Sequence, residues 1–166
     1  MISAPLWGDR QHWGLEIIPD DPCWLEWQQT HLDFYNANQR KGVGTIVNDA
    51  GYRIMKSLDL NRKTVLEIGA GDIRHIRFWE SQPKEFILAD ISDEMMEKAK
   101  MSLIDFDIKF QSFLLDRKQP IPLENHKVDV IISFYSLEHL YPLQPYIQEI
   151  HRVLKPGGCS YWGYPC

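Results

Sequence analysis

Short apolar segments with the pattern of buried strands alternate with segments of helical periodicity from about residue 43 onward. Two strands separated by a helix pair in parallel, because the connection must cross over the sheet. Such crossovers are right-handed and place helices on the faces of the sheet. The sequence therefore predicts an α/β fold, a Rossmann-like, doubly wound, mostly parallel sheet. Ligands of such sheets bind at the carboxyl ends of the strands, so functional residues are expected there.

Periodicity assigns each predicted element to a part of the chain. Helices are predicted over about 43–58, 73–80, 93–103 and 143–154, and strands over 64–68, 85–89, 107–112, 128–134 and 159–164. Pro156-Gly157-Gly158 is predicted to form a turn before the fifth strand.

Residues 1–42 differ from the rest of the chain because they are rich in aromatic side chains. Asp21-Pro22 is typical of a helix start, with Asp as the N-cap and Pro in the first helical position. We therefore divide the chain into a helical, aromatic-rich cap over 1–42 and a core domain over 43–166. The cap is interpreted either as a lid over a ligand site or as a cover for the sheet.

A glycine turn follows the first predicted strand. The strand carries an acid, Glu67, and runs into Gly69-Ala70-Gly71. Glycine lets the backbone approach a ligand closely and adopts positive φ without a steric penalty. A Gly-x-Gly turn also occurs in folds that bind no ligand, so its meaning depends on the residues around it.

Acidic residues also follow the next two predicted strands. Asp90 stands at the end of the second strand, where a carboxylate can accept hydrogen bonds from both hydroxyls of a ribose. Asp116 follows the third strand. Structural alternatives exist for two of the acids, since Asp90 could cap the next helix and Glu67 could form a salt bridge.

Two further segments complete the pattern: the fourth strand with its continuation, 128–140, and the segment 149–158, which ends in Leu-Lys-Pro-Gly-Gly. In this order and spacing, the features resemble the class I S-adenosylmethionine-dependent methyltransferases, particularly the small-molecule group of type 11. The resemblance covers roughly residues 60–160. It implies S-adenosylmethionine as the cofactor and methyl transfer to a small-molecule acceptor as the reaction.

The resemblance also implies which residues bind the methionine end of the cofactor. The backbone of Gly69, Ala70 and Gly71 would lie beside it. Glu67 would help to fix this end, directly or through water. Phe134 would offer its backbone carbonyl to the ammonium group of the cofactor.

The adenosine end of the cofactor would meet a second set of residues. By the same resemblance, Asp90 would hold the ribose hydroxyls, Ile91 would pack on the adenine ring, and Asp116 would meet the adenine amino group.

The chain departs from the family at position 73, where the family usually has a third glycine and this chain has Ile73. A β-branched residue does not easily adopt the conformations that glycine allows. We therefore expect Ile73 to crowd the cofactor and weaken its binding.

Two rival functions are open beside a methyltransferase. A nicotinamide-dependent oxidoreductase would have glycine three residues after Gly71, where this chain has Arg74. A non-catalytic module would keep the fold, and with it the cofactor site, but would act through a partner chain. Ile73 and the short carboxyl terminus favour this second alternative.

The proposed chemistry needs few reactive side chains. Methyl transfer from a sulfonium is an in-line displacement that depends mainly on positioning and exclusion of water. His139 is favoured over Glu138 as a candidate general base, and a histidine there could instead shape the pocket or cap a helix. No metal site is predicted, because no histidine lies at ligand spacing from any of the three cysteines.

The composition of the chain argues against some classes of binding partner. A net charge of −5 argues against a nucleic-acid surface, which would need clustered Lys and Arg. The sequence has no apolar run approaching the roughly 20 residues that span a bilayer. Its first residues do not resemble a signal peptide. The expected location is therefore the cytoplasm.

The predicted sheet order is 3-2-1-4-5, and the family usually adds strands six and seven beyond strand five. This chain stops within or just after strand five, so we expect those two strands to be missing. Strand 159–164 carries no charge and would form an unprotected edge. We expect this edge to pair with a second copy of the chain or with a partner chain.

Overall fold

The computed structural model describes residues 43–116, 119–136 and 143–163. Within these ranges, one parallel sheet has the order β3-β2-β1-β4-β5, which confirms the predicted class and strand order. The strands are β1 (Thr64–Ile68), β2 (Glu85–Asp90), β3 (Phe110–Leu114), β4 (Val128–Phe134) and β5 (Leu154–Gly163). The predicted cap and His139 lie outside the described residues.

Helices connect most of these strands. They are α1 (Val43–Tyr52), α2 (Asp93–Asp105) and α3 (Leu143–Val153), with two 3₁₀ helices at Arg53–Ser57 and Arg74–Phe78. Ser92 caps α2 by accepting a hydrogen bond from the amide of Met95 at 3.3 Å, as N-cap serines do. The helices predicted over 43–58 and 73–80 are present, but the first ends in a 3₁₀ turn and the second is a 3₁₀ helix throughout.

Hydrophobic side chains cover both faces of the sheet, so the residues of β1 and β2 are buried along their whole length and are mostly apolar. One face packs against α1, the 3₁₀ helices and α2, and the other packs against α3. The first face includes Val65, Phe86, Leu88, Val130 and Ile132 with Tyr52, Met55, Ile76, Met96 and Leu103. The second includes Leu66, Ile68, Ile87 and Ile131 with Tyr146, Ile150 and Val153.

The third strand begins later than predicted, at Phe110 rather than at residue 107. The residues before Phe110 first complete the hydrogen bonds at the carboxyl end of α2. The amide of Asp107 bonds to the carbonyl of Ile104 at 3.0 Å, and the amide of Ile108 bonds to that of Leu103 at 3.1 Å. Asp107 adopts a left-handed conformation with φ 54°, as residues that follow a helix often do.

The predicted turn at Pro156-Gly157-Gly158 is wrong, because these residues form a bulge within β5. Val128 pairs with Leu154, whereas Val130 pairs with Cys159, so residues 155–158 bulge opposite Asp129. Gly157 has φ +80°, a conformation that favours glycine. The bulge is the reason that β5 starts at Leu154, five residues before its predicted start.

Strand β5 lies at the edge of the described sheet, with β4 as its neighbour. Pairing of this edge with another chain stays a prediction, which sedimentation of the purified chain would test. Among the described helices, none has both the length and the apolar character needed to cross a membrane.

Candidate cofactor site

The glycine turn after β1 is fastened to the carboxyl end of β2. The amides of Gly69 and Ala70 donate to the carbonyl of Ala89 at 2.7 and 3.4 Å. The amide of Gly71 donates to Oδ2 of Asp90 at 2.9 Å. Three successive amides therefore point to the end of the next strand, and the structure brings these four predicted site residues together.

Asp90 ties the loops after β1 and β2 to each other. Its second oxygen, Oδ1, accepts a hydrogen bond from the amide of Ser92 at 2.8 Å. Burial raises the pKa of Asp90, and hydrogen bonds from the amides of Gly71, Ser92 and Ile91 partly offset this effect. Ser92 rather than Asp90 is the N-cap of α2. A carboxylate can accept about four hydrogen bonds, so acceptor capacity remains for a ligand.

Glu67 contacts the side chain of His75, which was not among the predicted site residues. Both of its carboxylate oxygens lie within 2.9 Å of Nε2 of His75. Glu67 and His75 are each only 1% exposed. Burial raises the pKa of Glu67, and the neighbouring His75 lowers it again in part. Glu67 therefore has a structural partner, as its salt-bridge alternative expected, but the contact is a hydrogen bond, and it is an ion pair only when His75 is protonated. The role of Glu67 toward a cofactor stays a prediction.

Trp79 extends this contact by one residue. Its indole Nε1 donates a hydrogen bond to Nδ1 of His75 at 2.9 Å, and the two rings stack with centroids 5.8 Å apart. The spacing of four residues would have suggested that Trp79 and His75 touch on a helix. Nothing in the local pattern would have joined either residue to Glu67, because that contact depends on how the 3₁₀ helix packs on β1.

Gly69 is required by a contact between the ends of β1 and β4. It has φ +71°, and a Cβ atom placed on it would lie 2.2 Å from Cβ of Ser136. Ser136 donates to the carbonyl of Ile68 at 2.8 Å and shares a 2.6 Å hydrogen bond with Ser133. Both serines belong to the site edge and were not among the predicted site residues.

Phe134, at the end of β4, has its side chain in the core, 6% exposed. The ring packs edge-on against Tyr52, with centroids 5.2 Å apart. The chain turns immediately afterwards, since the amide of Tyr135 donates to the carbonyl of Gly163 at 3.0 Å and Tyr135 has φ 55°. The ring is therefore a core residue, and the expected contact of its backbone carbonyl with an ammonium group stays a prediction.

Ile73 adopts the conformation in which the family usually has glycine. Its φ and ψ are 44° and 42°, in the left-handed region, which is rare for a β-branched residue. Its side chain is 1% exposed and belongs to the hydrophobic core. The departure therefore costs backbone strain of about 1–2 kcal/mol. The side chain is directed into the core. The expected crowding of the cofactor stays a prediction.

The residues predicted for the adenine end lie at the same edge of the sheet and are accessible. Ile91 directly follows β2 and is 46% exposed. Asp116 follows β3 and is also exposed. The amide of Leu115 donates to the carbonyl of Asp90 at 2.7 Å, so the segment that leads to Asp116 is held beside the end of β2.

Cavity volume does not by itself locate the site, since two cavities of about 390 and 410 Å³ lie at different places in the described residues. A cavity of about 390 Å³ lies at the amino-terminal edge of the sheet, against Lys63, Asp129 and Lys155. Open α/β sheets bind their ligands at the carboxyl ends of the strands, so we place the site at the glycine turn and Asp90. Within the described part of the chain, no cluster of three or more His, Cys, Asp or Glu residues could hold a metal ion.

The groups at this edge fit the chemistry of S-adenosylmethionine, which carries a sulfonium, an ammonium, a ribose diol and an adenine ring. The two buried carboxylates match cationic and diol groups. The half-exposed Ile91 offers an apolar surface for a ring, and Asp116 offers an acceptor for an amino group.

Comparison with known proteins agrees with the fold. Residues 66–161, more than half of the chain, match the family described as a methyltransferase domain. A malonyl-[acyl-carrier protein] O-methyltransferase from Hamiltonella defensa is 25% identical over 123 residues, which cover 74% of this chain and 46% of that protein. A demethylmenaquinone methyltransferase from Protochlamydia amoebophila is 38% identical over 104 residues, which cover 58% of this chain and 42% of that protein.

A solved structure shows the same fold. The S-adenosylmethionine-dependent methyltransferase from Aquifex aeolicus superposes with a TM-score of 0.52 at 22% identity, over 64% of this chain and 58% of that chain. The chain spans less than half the length of the two curated relatives described above. On the family match, the chain belongs to the class I methyltransferase domain family, whose cofactor is S-adenosylmethionine.

Proposed function

We propose that this chain carries the S-adenosylmethionine-binding part of an enzyme that methylates a small-molecule acceptor. The observation that carries the proposal is the position of Asp90. Its carboxylate is fixed at the end of β2 by the amides of Gly71 and Ser92, between the glycine turn and the exposed Ile91. A rigid acceptor at this place suits a ribose diol, as in other folds of this type.

The remaining contacts follow from where each residue lies along this edge. Glu67 and the backbone of Gly69, Ala70 and Gly71 would serve the methionine end of the cofactor. The backbone carbonyl of Phe134 would accept a hydrogen bond from the ammonium group.

At the other end of the cofactor, Asp90 would hold the ribose. Ile91 would pack on the adenine ring, and Asp116 would accept a hydrogen bond from the adenine amino group. The order of these residues along the strand ends, β1 to β3, matches the order of groups along the cofactor.

When bound, the cofactor supplies an activated methyl group on a cationic sulfur. The residues of this chain would bind it, orient it and shield it from water, which are the main requirements of an in-line displacement. Such a reaction needs a general base only for a weakly acidic acceptor. These modest chemical requirements support a cofactor-binding role for the described residues.

The acceptor is a separate question. The two curated relatives are named for different acceptors, a malonyl acyl-carrier protein and a demethylmenaquinone. The shared region is the cofactor-binding domain, so the relatives support the cofactor and leave the acceptor undefined.

Calorimetric titration of the chain with S-adenosylmethionine, S-adenosylhomocysteine and NAD tests the proposal. We expect the first two ligands to bind and NAD to bind more weakly, since Arg74 occupies the position of the third glycine of the dinucleotide fingerprint. Tighter binding of NAD, or no binding of either sulfur ligand, would contradict the proposal.

A further inference from the structure

Three side chains form a buried chain of hydrogen bonds beneath the glycine turn. Trp79 Nε1 donates to His75 Nδ1 at 2.9 Å, and His75 Nε2 lies 2.8 and 2.9 Å from the two oxygens of Glu67. Glu67 belongs to β1, whereas His75 and Trp79 belong to or directly follow the second 3₁₀ helix. The chain therefore links a candidate cofactor residue to two residues without an assigned role.

The direction of these hydrogen bonds fixes the protonation of the imidazole. An indole N–H can only donate, so Nδ1 of His75 must accept and carries no proton. The ring proton then resides on Nε2 and is donated to Glu67. The pattern defines one neutral tautomer of His75, because the second partner determines which nitrogen is protonated.

This tautomer favours the ionised form of Glu67. A protonated Glu67 would need an acceptor for its own O–H, and Nε2 cannot provide one while it holds a proton. An ionised Glu67 only accepts, which matches the donor that His75 presents. His75 acts here against burial, which is the largest influence and raises the pKa of Glu67, and against the negative charges of Asp90 and Asp72, which raise it further.

Aromatic rings hold His75 in this orientation. Its ring centroid lies 5.6 Å from that of Tyr52, 5.2 Å from that of Phe134 and 5.8 Å from that of Trp79. Tyr52 ends α1, Phe134 ends β4 and Trp79 directly follows the 3₁₀ helix of His75, so two other elements and the histidine's own segment hold the imidazole. A ring packed in this way cannot rotate to present its other nitrogen without disturbing the core.

We propose that His75, oriented by Trp79, is a positioning residue that keeps the Glu67 carboxylate ionised and fixed for the cationic methionine end of the cofactor. The proposal rests on the proposed function and adds two residues to its site. A buried negative charge attracts a cation strongly, because little water screens it. His75 therefore acts through Glu67 and touches neither the acceptor nor the transferred methyl group.

The test measures ligand affinity against pH for the full chain and two variants, His75→Leu and His75→Gln. The ligands are S-adenosylmethionine and 5′-methylthioadenosine, which lacks the amino-acid end. In His75→Leu, Glu67 loses its donor, so its ionisation shifts to higher pH. Affinity for S-adenosylmethionine near neutral pH should fall about tenfold, equivalent to about 1.4 kcal/mol. Affinity for 5′-methylthioadenosine should stay within about twofold of the unchanged protein, a difference below 0.5 kcal/mol by the same conversion.

His75→Gln is the conservative variant. A glutamine can donate to Glu67 and accept from Trp79, so the pH profile should remain close to that of the unchanged protein. Equal losses for both ligands in both variants would show a merely structural role and overturn the proposal. An unshifted pH profile in His75→Leu would also overturn it.

A measurement on the unchanged protein covers the case in which His75→Leu does not fold. Nitrogen NMR of the His75 ring should show a proton on Nε2 and none on Nδ1 near neutral pH, and a proton on Nδ1 would overturn the proposal. If the unchanged protein bound neither ligand, both the proposed function and this inference would fail. Normal binding with unchanged profiles in the variants would refute the inference alone.

Discussion

Two buried carboxylates at the ends of neighbouring strands are stabilised in different ways. Asp90 accepts hydrogen bonds from the backbone amides of Gly71 and Ser92, whereas Glu67 accepts from the side chain of His75. Burial raises the pKa of both acids. The amides that support Asp90 belong to the backbone, so the loop conformation places them independently of the side chains of the loop. The support of Glu67 depends on one imidazole, so we expect Glu67 to be the more sensitive of the two to a single substitution.

The largest expected effect is on folding stability when His75 is removed. His75→Leu leaves a buried carboxylate without its donor, and a charged acceptor left unsatisfied in this way costs about 3 kcal/mol or more. Urea unfolding measures the change. The matched control is His151→Leu, because His151 is exposed on α3 and its replacement should change stability by less than about 0.5 kcal/mol. Equal changes in the two variants would contradict the account.

The next effect concerns Asp90. Asp90→Ala removes the acceptor for two loop amides, so we expect a stability loss of about 1–3 kcal/mol. The sequence alone suggested a ribose contact or a helix cap for Asp90, whereas the structure gives this side chain a role in holding the loops. Asp90→Asn keeps one acceptor oxygen and should lose less. Thermal unfolding of the three proteins should therefore rank them as unchanged, Asp90→Asn and Asp90→Ala, and any other order would argue against backbone support of this acid.

Ile73 lies between the segments that support Asp90 and Glu67. Its left-handed conformation joins the glycine turn to the 3₁₀ helix that carries His75. Both Ile73→Ala and Ile73→Gly lose a buried side chain and should be less stable than the unchanged protein. Glycine relieves the backbone strain, so Ile73→Gly should be more stable than Ile73→Ala by about 1 kcal/mol. In an ordinary helical position this order is reversed, and finding it reversed in urea unfolding would refute the strained conformation.

The smallest expected effect is on how folding stability depends on pH. Burial raises the pKa of Glu67 in the folded protein. Between the pKa of the unfolded chain and that of the folded protein, Glu67 keeps a proton in the folded state that the unfolded state has released. The contribution of Glu67 to folding stability therefore falls as pH rises through this range. Burial raises the pKa of Asp129 too, but hydrogen bonds from Lys155 and Thr64 outweigh it and lower the net value. The contribution of Asp129 is therefore lost as pH falls.

Glu67→Gln and Asp129→Asn separate these two signs. From acid to neutral pH, the stability of the unchanged protein relative to Glu67→Gln should decrease, and its stability relative to Asp129→Asn should increase. Urea unfolding at a series of pH values measures both differences. Parallel trends in the two comparisons would be inconsistent with the assigned environments.

The central sheet and part of the candidate site could be predicted from the sequence, for physical reasons. The strands β1 and β4 have the predicted bounds, because strands buried on both faces are mostly apolar and stand out from their flanking segments. The glycine turn and Asp90 could be located because the carboxyl ends of parallel strands share one edge. These features depend on short stretches of chain.

Features that depend on contacts between distant segments could not be predicted. The start of β3 depends on how α2 closes, and the bulge in β5 depends on its pairing with β4. The contact of Glu67 with His75 arises only when the 3₁₀ helix packs over β1. The side-chain support of Glu67 therefore required the structure, whereas the position of Asp90 did not.

Titration calorimetry with S-adenosylmethionine on the unchanged chain, Asp90→Ala and Asp129→Ala is the most direct test of the site. Asp129 also accepts from a backbone amide, that of Thr64 at 2.9 Å, but it lies at the opposite edge of the sheet. Asp90→Ala should weaken binding by about 1–3 kcal/mol, since it removes a charged acceptor from the ribose. Asp129→Ala should leave affinity unchanged even though it reduces stability. Unchanged affinity in Asp90→Ala, or equal losses in the two variants, would contradict a cofactor site at the carboxyl edge of the sheet.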